Sequence, residues 1–321
     1  MTISVTVVAD SVSREGKRIT TLQLRYPRFI HAEFMTHRVF SRNASSSRAI
    51  PVKRIIEDIM TDPAIPIHWG KNIPGMQAHE QIDEQVAIGS MAAYPDGIAL
   101  IEDAEVSKET AWLFARDQVI KVAQAFDNAG YHKQIVNRLL EPWSHINVLV
   151  TATDFANFSH LRSHPDAQPE IRILSDKMKL AMQQSKPMIM DPGQWHMPYI
   201  RSSDVTAIYH HLKYGRITLD EPKPREVVEL ALKVSVARCA RVSYLTHGGR
   251  ETEIQEDLLL YQRLLGSSPL HASPAEHQAT PDAMTGPQTI GGAVWDNPDR
   301  QGNFVGWIQY RKTLPFEAVN G

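Results

Sequence analysis

Residues 34–51 read FMTHRVFSRNASSSRAIP, and they set Arg38, Arg42 and Arg48 among His37, Asn43 and four serines without a single carboxylate. Guanidinium forks beside short hydroxyl donors are what an anionic, phosphate-bearing ligand requires. A solvated basic loop has the same composition. The residues alone leave both readings open.

Two further stretches carry candidate chemistry. In residues 137–172, Asn157 and Arg162 lie five apart, which places them on neighbouring faces of one helix. Arg162 ends that helical pattern, where an arginine also satisfies free terminal carbonyls. Near the C-terminus, SPLHASPAEHQATP offers His271, Glu276 and His277. Six residues with intervening prolines separate the two histidines, which matches no helical ligand pair, so no metal site is expected. Cys239, the one cysteine among 321 residues, has no nearby base and reads as a small buried apolar side chain. Neither a GxGxxG fingerprint nor a Walker A loop is present.

Elements that could position these residues follow from periodicity. Alternation on either side of SREGK predicts a β-hairpin turning near Gly16. Helical spacing is expected over 28–38, 104–128, 133–140, 154–161, 168–184, 225–240 and 253–265. Residues 62–100 and 267–292 read as irregular loops, 187–199 as a break, and NFVGWIQYRK as a strand or short helix. The fold class is α+β, mostly helical.

Hydrophobic residues make up 42% and charged residues 22%, ordinary values for a folded chain. A net charge of -2 argues against a nucleic-acid partner, which leaves local basic patches to bind anions. The single cysteine fits a reducing cytoplasm, and no apolar run is long enough to span a membrane.

Taken together, the three stretches resemble the flavin-dependent thymidylate synthases (ThyX). That family's Arg-His-Arg-x-x-Ser-x-Asn-Glu-x-Ser-x-Arg signature is matched by His37, Arg38, Ser41, Asn43, Ser46 and Arg48, with Thr36 and Ala44 at its first arginine and its glutamate. Ala49 stands at its final tyrosine and Glu33 at an upstream glutamine. Arg138, Pro142, Asn157, Arg162, Ala167, Gln168, Glu170 and Ile171 are similar to its later block. Ala240–Tyr244 and His271–His277 resemble its N-terminal blocks, which here come last. The resemblance therefore implies a single ThyX-like domain over 1–321 with helices packed on an antiparallel sheet. It also implies circular permutation of a block at about 236–280 and an insert at about 51–130.

The activity implied is transfer of a one-carbon unit from methylenetetrahydrofolate to C5 of a pyrimidine deoxynucleotide, dUMP before dCMP (methylated or hydroxymethylated), with FAD as cofactor and NADPH as reductant. The altered Thr36 and Ala44 leave a catalytically inactive flavin- or nucleotide-binding assembly protein as the alternative. By the same resemblance Arg162 polarises the pyrimidine edge. His37, Arg38, Asn157, His271 and Ser273 line the flavin, and Ser46, Arg48, Arg138 and Arg162 hold the nucleotide. Glu33 and Arg311 stand in for what the altered signature lacks. The assembly implied is a homotetramer.

Overall fold

The computed structural model describes residues 2–75, 78–94, 97–215, 221–243, 250–285 and 294–317, with backbone alone over 90–94 and 97–103. The chain opens with the expected hairpin. Strands β1 (Ser4–Ser13) and β2 (Arg18–Pro27) pair antiparallel. Gly16 takes φ 78° in the turn, a left-handed conformation that strains any residue with a Cβ.

The 28–38 stretch is less helical than its spacing predicts. A 3-10 turn at Arg28–Ile30 leads into one α turn, α1 (His31–Phe34), and Thr36–Phe40 form turns before β3 (Ser41–Ala44). Helix α2 (Val52–Thr61) follows, then the paired strands β4 (Val86–Tyr94) and β5 (Gly97–Val106). This hairpin corrects the expectation of an irregular loop through residue 100. It also moves the start of α3 (Lys108–Asn128) four residues downstream, where the Ser107 hydroxyl accepts from the Thr110 N–H and caps the helix.

Next come α4 (Lys133–Leu140), β6 (His145–Ala152), α5 (Ala156–Arg162), α6 (Pro169–Gln184) and β7 (Met188–Met190). The chain continues through α7 (Ser202–Tyr214), α8 (Pro224–Arg241) and α9 (Ile254–Leu265) to a small pair, β8 (Ala279–Pro281) with β9 (Trp307–Gln309). Helix α7 has no clear apolar stripe, because only Asp204 and Ile208 of it are buried.

The main sheet runs β3-β6-β2-β1-β7. It is mixed rather than purely antiparallel, since β7 joins β1 in parallel. Strand β6 is the spine. It is buried almost throughout because both its faces are covered, so its sequence HINVLVTA shows no clean alternation. On one face Val148 and Val150 pack with Leu22 and Leu24 of β2, Leu174 and Met178 of α6, and a cluster of Phe34, Phe40, Phe155 and Phe158. On the other, Leu149 meets Tyr199, Cys239 and Val242. Each fully buried Leu, Val or Phe contributes roughly 1.5–3 kcal/mol through the apolar area removed from water. A second core joins α2, α3 and α4 around Trp143. Cys239 accepts from the Gln278 side-chain amide, and burial raises its thiol well above the ordinary range, as expected of a core residue.

Candidate functional site

The first two stretches meet at the end of α5. Helix α5 is aimed by Asp154, whose carboxylate accepts from the Ala156 N–H, and it is anchored by buried Phe158. Arg162 is its last residue, yet its guanidinium does not serve the helix's own carbonyls. Its Nε donates to His37 Nε2 at 2.9 Å, Nη1 donates to the Glu33 carboxylate, and Nη2 lies 3.4 Å from Thr36 Oγ1.

His37 is pinned from both sides, with its ring edge-on to Phe158 at 4.8 Å between centroids. Accepting from Arg162 requires a neutral imidazole with its proton on Nδ1. Burial, followed by the charges of Arg162 and Arg42, holds the ring below its usual pKa, which favours that neutral form. Arg42 closes the turn by donating to the carbonyls of Met35 and His37 at 2.8 and 3.0 Å.

Two clefts adjoin here and share Arg38. The first, about 250 Å³, is lined by Thr36, His37, Arg38, Asn157, Phe158 and Arg162. The second, about 390 Å³, is lined by Arg38, Phe40, Arg42, Asn303, Arg311 and Lys312 among others. Arg311 and Lys312 are partly neutralised by Glu276 and Glu317. Arg42 pairs with carbonyls and not with a carboxylate, and no hydrogen bond or ion pair holds Arg38 among the described residues. The donor set therefore keeps net positive charge above the buried rings of Phe40 and Phe158, which are 3% and 2% exposed. Such a surface suits a phosphate-bearing ligand, and the pyrophosphate of an FAD-like group fits it.

The remaining sequence candidates lie elsewhere. Ser46 lines a cleft of about 590 Å³ facing α8 and α9, and exposed Arg48 lies 3.5 Å from its hydroxyl. Arg138 is exposed on α4 and reaches Glu141, which also receives Arg28 and the Ser47 hydroxyl. His271 is exposed and lines neither of the clefts at Arg38. Ser273 contributes its carbonyl, which faces the Asn43 amide at 3.2 Å. His271, Glu276 and His277 diverge: His277 is buried on Thr151, while Glu276 pairs with Arg311. Tyr244 of the ARVSY block lies outside the described residues.

Sequence reasoning assigned no role to Asp154 or Asn303. Arg42 was visible as the second of three arginines in an acid-free segment, but its closure of the 35–37 turn was not. Nothing in the local sequence marks Asn303, whose amide donates to the Val39 carbonyl from the far end of the chain.

Comparison with known proteins identifies the family. The model described as "Thymidylate synthase complementing protein" matches residues 18–188. The chain belongs to this family. The matched span contains both the His37–Arg48 segment and the Asn157–Arg162 segment, and it ends before the third stretch. Among solved structures, the chain is similar to the UMP/dUMP methylase PolB from Streptomyces cacaoi bound with 5-Br dUMP, at 15% identity and TM-score 0.37. That alignment covers 59% of this chain and 91% of the other. The same methylase with 5-Br UMP gives 15% identity and TM-score 0.35 over the same shares. No curated protein matches. Among the described residues no helix is long and apolar enough to cross a membrane.

Proposed function

We propose that the chain is an FAD-dependent enzyme that transfers a one-carbon unit from methylenetetrahydrofolate to C5 of a pyrimidine deoxynucleotide, dUMP foremost. One observation carries the reading. In a family of flavin-dependent nucleotide methylases, Arg162 is fixed by His37 and Glu33 at a cleft that also presents Arg38 and Asn157. A rigid guanidinium at a pyrimidine edge stabilises the negative charge that develops as C5 becomes nucleophilic. Its orientation is set beforehand by the His37 and Glu33 contacts, so little reorganisation accompanies the reaction.

His37, Arg38 and Asn157 would hold the flavin, with His271 and Ser273 completing its pocket. Ser46, Arg48, Arg138, Glu33 and Arg311 would serve the nucleotide. The bound cofactor supplies the redox chemistry, taking reducing equivalents from NADPH, while the protein binds, orients and excludes water. His271, Ser46 and Arg138 lie away from the Arg162 cleft within one chain, and a homotetramer whose copies share sites would reunite them. Exposed Val39 and Leu161 rim the cleft, and exposed Met35 adds to the apolar surface suited to a second copy. The domain reading remains one catalytic unit over 1–321, with an insert at about 51–130 and a permuted block at about 236–280.

A second reading, dCMP as substrate, is favoured by Glu33. Its carboxylate accepts hydrogen bonds and would receive the amino hydrogens that cytosine has and uracil lacks.

The test is an absorbance spectrum of the purified protein, then incubation with methylenetetrahydrofolate, NADPH and either dUMP or dCMP, with product analysis. Flavin absorbance and a C5-alkylated product are expected. A colourless protein that takes up no added FAD would overturn the reading.

A further inference from the structure

Beneath the clefts, on the sheet face opposite Phe34 and Phe158, six polar side chains join into one continuous hydrogen-bonded chain that crosses four strands. Ser11 Oγ meets His196 Nδ1 at 2.9 Å, and His196 Nε2 meets Thr21 Oγ1 at 2.8 Å. Thr21 and Thr151 share a bond of 2.7 Å, and Thr151 Oγ1 meets His277 Nδ1 at 2.8 Å. His277 Nε2 then reaches the Asn43 amide at 3.2 Å. Thr21, Thr151, His196 and His277 are fully buried, so water cannot stand in for any of these contacts.

The direction of the chain is fixed at the Asn43 end. One end of that amide faces the Arg42 carbonyl at 3.1 Å, the Ser273 carbonyl at 3.2 Å and His277 Nε2, so its nitrogen belongs there. His277 Nε2 is then an acceptor, and a neutral ring must carry its proton on Nδ1. That proton goes to Thr151, whose own hydroxyl proton goes to Thr21, whose proton goes to His196 Nε2. His196 in turn donates from Nδ1 to Ser11. Every hydroxyl between the two rings accepts once and donates once.

We propose that Thr21, Thr151, His196 and His277 are positioning residues: a one-way chain that locks the Asn43 amide and so holds β3, with Arg42, against the Ser273 segment. The functional meaning rests on the proposed reading of those two segments as one ligand site. The chain's direction does not. Burial that keeps both imidazoles neutral, with pKa values near 3, is consistent with it.

The experiment begins with nitrogen-15 spectra of the histidine rings in the ligand-free protein at pH 7. Both His196 and His277 are expected as the Nδ1–H tautomer. Thr151→Val should move His277 off that tautomer and speed exchange of the Asn43 side-chain amide by tenfold or more. FAD affinity should fall by about tenfold, and Thr151→Ser should restore all three. Nε2–H tautomers in the wild-type protein would overturn the proposal. So would a folded Thr151→Val variant with unchanged His277 and Asn43 signals. If Thr151→Val does not fold, the wild-type tautomers and those of Thr151→Ser decide. Failure of the wild-type protein to bind FAD would instead count against the functional reading, because the ring tautomers are read without ligand.

Discussion

Arg162 and His37, 125 residues apart in sequence, are joined by a 2.9 Å hydrogen bond in which the guanidinium donates and the imidazole accepts. The bond exists only while the ring is neutral. It converts a helix-terminal arginine from a mobile surface charge into a fixed donor at the cleft.

Arg162→Ala is therefore expected to lower turnover by about a hundredfold or more, the usual loss when a donor to developing charge is removed. Flavin content should be unchanged, because Arg38 and Arg42 remain. Steady-state rates beside the bound-flavin absorbance check this. A near-normal rate would reduce Arg162 to a structural partner of Glu33.

Glu33→Gln tests base choice. The carboxylate only accepts, whereas an amide also donates, so the substitution should shift the dUMP to dCMP ratio of kcat/KM towards dUMP by roughly tenfold, about the worth of one hydrogen bond. Parallel assays with both nucleotides read the ratio. An unaltered ratio would make Glu33 merely the clamp of Arg162.

Acid stability follows from the buried histidines. His196 and His277 are held near pKa 3 by burial, against about 6.5 when unfolded. The unfolded chain thus binds more protons below pH 6.5. The stability these neutral rings contribute is complete above that pH, and it is lost as pH falls towards their folded values. Between pH 7 and 5 each ring should cost about 2 kcal/mol of unfolding free energy. Denaturant titrations at the two pH values measure it, and the loss should shrink by about 2 kcal/mol, one ring's share, in His196→Asn if that variant folds.

Assembly is open to light scattering at micromolar concentration. A tetramer is expected, with Met35, Val39 and Leu161 covered. Replacing exposed Val39 with Glu should then dissociate it and abolish turnover together. An active particle of one chain mass would show that each site is complete within a single copy.

Much of this was legible in the sequence. The Gly16 hairpin, α4 and α6 follow their periodicity closely because each buries one apolar face, and α8 and α9 also fall where their spacing predicts. Strand β6 and helix α7 did not announce themselves, for opposite reasons: the first is buried on both faces, the second on almost none. The site was half legible. Residue type marked His37, Arg38 and Arg162, whereas Arg42's grip on the 35–37 turn and Asn303's reach to Val39 depend on long-range packing that no local pattern encodes.

Arg38 and Arg311 line one cleft although roughly 270 residues separate them along the chain. On a translating ribosome adding about 5–20 residues per second, the Arg38 wall emerges tens of seconds before its opposite wall exists. During that interval the nascent chain already carries every residue of the Arg162 cleft but only one wall of the second, so contacts to Arg311 and Lys312 cannot template early folding. A chain that has reached Arg311 is the first species able to bind across both clefts, and whatever stabilisation the second cleft adds acts only from that point.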